Sequence, residues 1–424
     1  MGTGTGFAFA EPTDPTAWKG WQEILEILYT PEEARLGARM PIFPQTLAYL
    51  SKRFGIAEAE LRPRLDVMCD KGIVMDLVDP KGGPTTYALS PPVVGFFEFS
   101  FMRAQDSIPK KRIAQAFDDY VHHDQALPRE LLDGDPVLGR TLAHETAFPE
   151  DVPEVLDWER ASWLVAKART VAVSLCSCRH KARHLGRTCD APAENCMTLD
   201  AGAEFVVRRK FGRQIDSAEG LRILAEGRDL GLVHIADNVQ GKPLFICSCC
   251  KCCCEQIRPM NVYDLRGVNP SGFLATCDPE HCAGCSRCAR ACPIGAVSVV
   301  PRPTTPEQAP ARKTVLQAAV DPERCIGCGV CVGACKKGAM TLTRRKSPPH
   351  VPVNSVEKAV RIALEHNRLA DLVFDQGSSL GARFLNRALR AILTLPHATR
   401  LLASEQLRSR FVRAAVARIA DPIP

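Results

Sequence analysis

The chain has 424 residues, of which 46% are hydrophobic and 24% charged, with a formal net charge of +6. That is the composition of a globular protein too long for one ordinary core, so three or more compact units are expected, and the charge is too modest to imply nucleic acid. Its 20 cysteines far exceed ordinary usage yet fall short of a small disulfide scaffold.

The opening "MGTGTGFAFAEPTDP" has no basic n-region and no apolar core, so no secretory signal is expected. No run of about 18 apolar residues marks a membrane span. A cytoplasmic, reducing setting follows as the expectation, and there clustered cysteines serve metals more often than disulfides.

Residues 1–102 predict a small helical unit with a hairpin. "WQEILEILYTPEEARLGARM" carries apolar residues at helical spacing, and Thr30 before "PEE" makes an N-cap with Pro at N1. "TLAYLSKRFGI" and "EAELRPRLDVMCDKG" predict two further helices, the second ending at Gly72. "IVMDLVDPKGGPTTYALSP" predicts two strands about a Gly-Gly turn, so the whole reads as winged-helix-like. A DNA reader neutralises phosphates with basic side chains, whereas residues 1–100 hold nine Lys/Arg against thirteen Asp/Glu. A protein-docking role is therefore expected. Cys69 falls on the apolar face of its helix and reads as core.

Residues 103–165 predict a helical or linker segment without a nameable motif. The adjacent His122 and His123 do not face each other on a helix and are expected to be solvated.

Residues 166–270 predict an α/β domain. "TVAVSLC", "LVHIAD" and "PLFIC" read as strands, and "SAEGLRILAEGRDLG" as a helix capped by Ser217. Ten cysteines lie here: Cys176, Cys178, Cys189 and Cys196, then Cys247, Cys249, Cys250, Cys252, Cys253 and Cys254. Six thiols in eight residues are not core packing, because a strand turns alternate side chains to solvent, where thiols oxidise. Both segments follow strand-like runs and are expected to converge on one metal-thiolate site. Three readings stay open: a third iron–sulfur cluster, structural zinc, or a thiol–disulfide pair. Basic Arg179, Lys181, Arg183 and Arg187 would favour thiolates or offset a cluster's charge.

Residues 271–345 contain an internal repeat. "CAGCSRCARACPIGAVSVV" from Cys282 recurs as "CIGCGVCVGACKKGAMTLT" from Cys325 with identical cysteine spacing. C-x2-C-x2-C-x3-C is the ligand pattern of [4Fe–4S] ferredoxins, since three thiolates on a tight loop reach different irons of one cubane. Gly284, Gly327 and Gly329 are expected to let backbone amides approach the sulfides. The module resembles the bacterial two-cluster ferredoxins over about 60 residues. The resemblance implies one cluster on Cys282, Cys285, Cys288 and Cys335, and the other on Cys325, Cys328, Cys331 and Cys292. Pro293 follows the first run as in that family, but Lys336–Lys337 follows the second. The full layout is similar to a group of large bacterial ferredoxin-like proteins sharing an N-terminal helical unit, a "CxCR" segment, a "CCxCCC" segment and the module.

Residues 346–424 predict helices; eleven Lys/Arg against six Asp/Glu from Val353 onward suit a helical cover or peripheral contact with an anionic membrane. With no GxGxxG after a strand, no P-loop and no Ser/His/Asp pattern, the expected function is electron transfer through two [4Fe–4S] clusters between a donor and an acceptor protein. The rivals are an iron–sulfur oxidoreductase or reductive activator with a third central cluster, and a redox-sensing regulator.

Overall fold

The computed structural model describes residues 12–41, 43–104, 106–148, 155–302 and 315–366, and among them helix and strand are mixed. The helix α1 (Pro15–Leu28) starts on Asp14, whose carboxylate accepts the amides of Thr16 and Ala17. The next, α2 (Pro31–Gly37), starts on Thr30 with a capping box completed by Glu33. Then come β1 (Gln45–Thr46), α3 (Leu47–Phe54), α4 (Glu58–Lys71), β2 (Val74–Leu77), β3 (Thr86–Leu89) and α5 (Phe97–Phe101). The three strands form an antiparallel sheet in the order β1–β3–β2. Gly72 ends α4 at φ +77°, and a Cβ there would sit 2.4 Å from that of Phe99, so only glycine fits.

The stretch after residue 102 is divided between two neighbours. Its helix α6 (Lys110–His122) packs on α1, with Tyr120 stacked on Trp21 at 4.8 Å between centroids. After α7 (Ala126–Leu132), the strand β4 (Gly139–Leu142) becomes an edge of the central sheet. His122 is not solvated: its side chain is nearly buried and pairs with Glu255 at 3.1 Å, while His123 stays half-exposed beside Asp119.

The central region runs α8 (Ala161–Lys167), β5 (Val171–Leu175), α9 (Ser177–His184), β6 (Glu194–Leu199), α10 (Asp200–Arg208), β7 (Arg213–Ile215), α11 (Ser217–Asp229), β8 (Val233–Asp237), β9 (Phe245–Cys249) and α12 (Arg258–Val262). Its six strands lie in the order β4–β8–β9–β6–β5–β7, antiparallel throughout. The helix α11 is capped by Asp216 rather than the expected Ser217; the Asp216 carboxylate accepts the Glu219 amide at 2.7 Å.

The module runs β10 (Phe273–Cys277), α13 (Arg287–Ala291), β11 (Val297–Pro301), β12 (Leu316–Val320), α14 (Val330–Ala334) and β13 (Met340–Arg344). Each element of the first half recurs 43 residues later in the second. The halves exchange edges: β10 pairs with β13, and β11 with β12, both antiparallel. The helix α15 (Ser355–Glu365) follows; residues 367–424, with most of the expected C-terminal helices, lie outside the described residues. Among the described residues no helix is long and apolar enough to cross a membrane.

Apolar cores join these regions. The aromatic core under α1, α4 and α6 continues into the central region, where Phe99 meets Phe205 at 5.2 Å and Phe211 at 4.9 Å. The acidic side chains Asp66 and Asp70 of α4 and Asp76 of β2 close on Arg209 at 2.8–3.0 Å. Burial pushes the Asp76 carboxyl up, and hydrogen bonds from Arg208 and Arg209 more than offset it, so it lies below the usual carboxylate range. A second core holds Val233 and Ile235 of β8 with Phe273 and Leu342 of the module.

Candidate metal centres

In the module, thiols from both halves interleave. Cys282, Cys285 and Cys288 of the first run meet Cys335 of the second around a cavity of about 310 Å³. Cys292 in turn lies with Cys325, Cys328 and Cys331. Amides point at the sulfurs, as anionic ligands require: Ala318 N–H to Cys282 Sγ at 3.4 Å and Ala296 N–H to Cys292 Sγ at 3.2 Å. The first set opens outward, with Cys285, Lys336 and Lys337 exposed. The second is buried, and burial pushes the Cys328 thiol up to about 12, so metal ligation there means losing an otherwise reluctant proton.

The module glycines also answer to a packing demand. Gly284 and Gly327 take φ +62° and +66°, and a Cβ would collide with the backbone of β12 at Leu316 in one case and of β10 at Phe273 in the other. The neighbouring strand leaves no room for a Cβ at either position. Cys277 was not anticipated. It ends β10, where its thiol donates to Asp278 O at 3.7 Å and lies near that of Cys282, beside the first set. Its counterpart in the second half is Val320, so the duplication that reveals the eight module cysteines does not reveal it.

The ten central cysteines divide into two groups rather than forming one. The first contains six. The strand β9 extends through Cys249, so Cys247 and Cys249 share a face while Ser248 takes the other. Cys247 is the register partner of Cys196 on β6, with sulfurs 3.6 Å apart. Thiol hydrogen bonds continue from Cys247 to Cys249, from Cys249 to Cys254, and from Cys254 through Cys178 to Cys176. Thiol hydrogen bonds from Cys178 and Cys249 bring Cys254 down to about 5, which makes it a ready anionic ligand. The second group is Cys189, Cys250, Cys252 and Cys253, whose sulfurs all lie within 4.8 Å of one another.

Charged groups are buried around these thiols. Arg179 donates to Ser248 O at 2.7 Å and to Asn195 Oδ1 at 2.7 Å. Its Nε is buried without a hydrogen-bond partner, and the thiols of Cys176, Cys249 and Cys250 are its neighbours. A buried cation with an orphaned donor fits an anionic metal-thiolate beside it. The Lys181 side chain, completely buried on α9, pairs with Glu255 at 2.7 Å and Asp118 at 3.1 Å. That bridge fastens α9, which carries Cys178, to the turn after Cys254. Glu98 is buried near Cys247 and accepts the Gly95 amide at 2.8 Å; burial raises its carboxyl to about 8, so it is protonated at neutral pH.

The histidines of the central region have ordinary partners. His180 and His184 contact each other at 3.1 Å, and His180 Nδ1 donates to Phe101 O. His234 bonds Ser248 Oγ at 3.1 Å and packs on His144 at 4.9 Å between rings. Cys69 is buried in the aromatic core as expected, and all 20 cysteines are free of disulfides.

Residues 281–340 match the family model described as a 4Fe–4S dicluster domain. The chain thus carries an iron–sulfur, ferredoxin-type module. Neither the curated proteins nor the solved structures contain a match to the chain.

Proposed function

We propose that the chain is an electron-transfer protein that passes single electrons through two [4Fe–4S] clusters between redox partner proteins. Cys282, Cys285, Cys288 and Cys335 would hold one cluster, and Cys325, Cys328, Cys331 and Cys292 the other. The interleaving of thiols from both halves of the repeat carries this reading, because neither half supplies a complete set without the other. When bound, such clusters supply one-electron redox chemistry. The protein's part is to insulate the inner set in an apolar core, aim amides at the sulfurs, and present the outer set beside two exposed lysines where an acidic partner docks. Free thiols suit a reducing compartment, and we place the chain in the cytoplasm.

One observation favours a further step inward. Cys249 and Cys254 of the six-thiol group share an apolar core with Cys325, Cys328 and Cys331. The His144 amide donates to Cys328 O at 2.9 Å, and its ring packs on His234, which reaches Ser248 between Cys247 and Cys249. A module placed this way delivers electrons to a third, central cluster held by the six thiols, as an oxidoreductase or reductive activator would require.

The N-terminal winged-helix-like unit acts in this reading as a protein dock, and its first partner is its own chain, since Asp66 and Asp70 of α4 are taken by Arg209. Nucleic acid and a regulatory read-out are not part of the proposal.

Iron and acid-labile sulfide in anaerobically purified chain test it. About eight irons per chain support the two-cluster carrier, and about twelve or more support the central cluster as well. Stoichiometric zinc without iron would end both readings.

A further inference from the structure

The geometry points to a second kind of metal centre in this chain: a closed tetrathiolate site for one zinc ion on Cys189, Cys250, Cys252 and Cys253, separate from every iron–sulfur ligand set. Four ligands at about 2.3 Å from one tetrahedral ion stand about 3.8 Å from each other. The sulfurs of Cys189 and Cys250 are 3.7 Å apart, those of Cys189 and Cys253 3.9 Å, and those of Cys252 and Cys253 3.7 Å. A cubane cannot draw its four ligands from thiols that all lie within 4.8 Å of one another, because its irons and sulfides lie between them. The module's outer set shows the contrast, with its four thiols standing around a cavity. Four sulfurs in tetrahedral reach select zinc among the common divalent ions.

Local structure explains how these four separate from their neighbours. The strand β9 ends at Cys249, and residues 251–253 form a turn. Alternation stops there, so Cys250, Cys252 and Cys253 swing to one side while Cys249 stays with the six-thiol group. Cys189 reaches them from the loop between α9 and β6. One ligand is thus supplied by the connection following "CSCRH" and three by the connection following β9. With all four positions taken by protein, the ion has no open site, so its role is structural. It ties together the two connections that flank the six-thiol group. This inference does not depend on electron transfer, since zinc content and iron content are read separately.

The test is metal analysis of the full chain purified anaerobically, with X-ray absorption at the zinc edge. One zinc per chain with four sulfurs at about 2.3 Å is expected. The double variant Cys189→Ser/Cys252→Ser should lose that zinc entirely and keep its iron and sulfide. Should the variant not fold, release of one zinc equivalent from the wild-type chain by a mercurial reagent, read with a colorimetric chelator, serves instead. Wild-type chain with full iron content and no zinc would overturn the assignment, as would iron in the tetrathiolate site or loss of iron with retention of zinc in the variant.

Discussion

Cys196 and Cys247 face each other across neighbouring antiparallel strands with their sulfurs 3.6 Å apart, and from Cys247 a line of thiol contacts runs to Cys254, Cys178 and Cys176. A single centre spanning this line has a clear signature. Cys196→Ala and Cys254→Ala, from opposite arms of the group, should each remove the same central spectroscopic feature, while both module signals persist. Mössbauer and EPR spectra of the anaerobic variants decide it. Two different features lost, or none, would break the group apart. Cys250→Ser, in the tetrathiolate set, should leave that feature in place.

The module was legible in the sequence because duplication exposes itself: two identical spacings need no three-dimensional information. Thr30 and Gly72 were legible too, because capping and helix termination are local. The partition of the central cysteines was not. It depends on where β9 stops, and one residue decides whether Cys250 follows Cys249 or turns away. Nor was His122 legible, since its burial comes from Glu255, 133 residues away in sequence and brought close only by packing.

Lys336 and Lys337 line the same cavity as Cys282, Cys285, Cys288 and Cys335 and are exposed to solvent. Cations beside a cluster favour its reduced, more negative form. Removing both with Lys336→Ala/Lys337→Ala should therefore lower the reduction potential of the outer cluster by on the order of tens of mV. The inner cluster, farther from the lysines, should shift less. Protein-film voltammetry reads both potentials, and an upward or absent shift would show that the lysines serve only the surface.

His144 and His234 pack ring to ring where the module meets the central sheet. Burial lowers His234 to about 3, like-charge repulsion between protonated His234 and His144 would lower it further, and burial also lowers His144 against its hydrogen bond to Leu232 O. His234 is thus neutral in the fold well below the pH, about 6.5, at which the unfolded chain takes up its proton. Its contribution is fully present above about pH 6.5 and is lost as pH falls toward 3. For His234 alone the loss approaches about 1.4 kcal/mol per pH unit. Denaturant unfolding of anaerobic wild type and His234→Gln, at pH 7 and pH 5, should show the wild type losing more stability on acidification. Parallel losses would remove His234 as the cause.

Cys277 and Cys282 place two thiols where the outer cluster needs one. The repeat assigns the ligand to Cys282, because its counterpart is Cys325 while that of Cys277 is Val320. Cys277 nevertheless lies near the Cys282 sulfur, and burial, the first cause, holds its thiol up near 11 as a spare proton-bearing group. Removing Cys282 frees Cys277 to take its place at small cost in backbone movement. Cys282→Ala should therefore keep the outer cluster with an altered EPR line shape, whereas Cys285→Ala, with no spare thiol beside it among the described residues, should lose it. Cys277→Ala alone should change neither iron content nor line shape. The double variant Cys277→Ala/Cys282→Ala should behave like Cys285→Ala and fall by about four irons per chain. If Cys282→Ala loses as much iron as the double variant, the two thiols are neighbours without being substitutes.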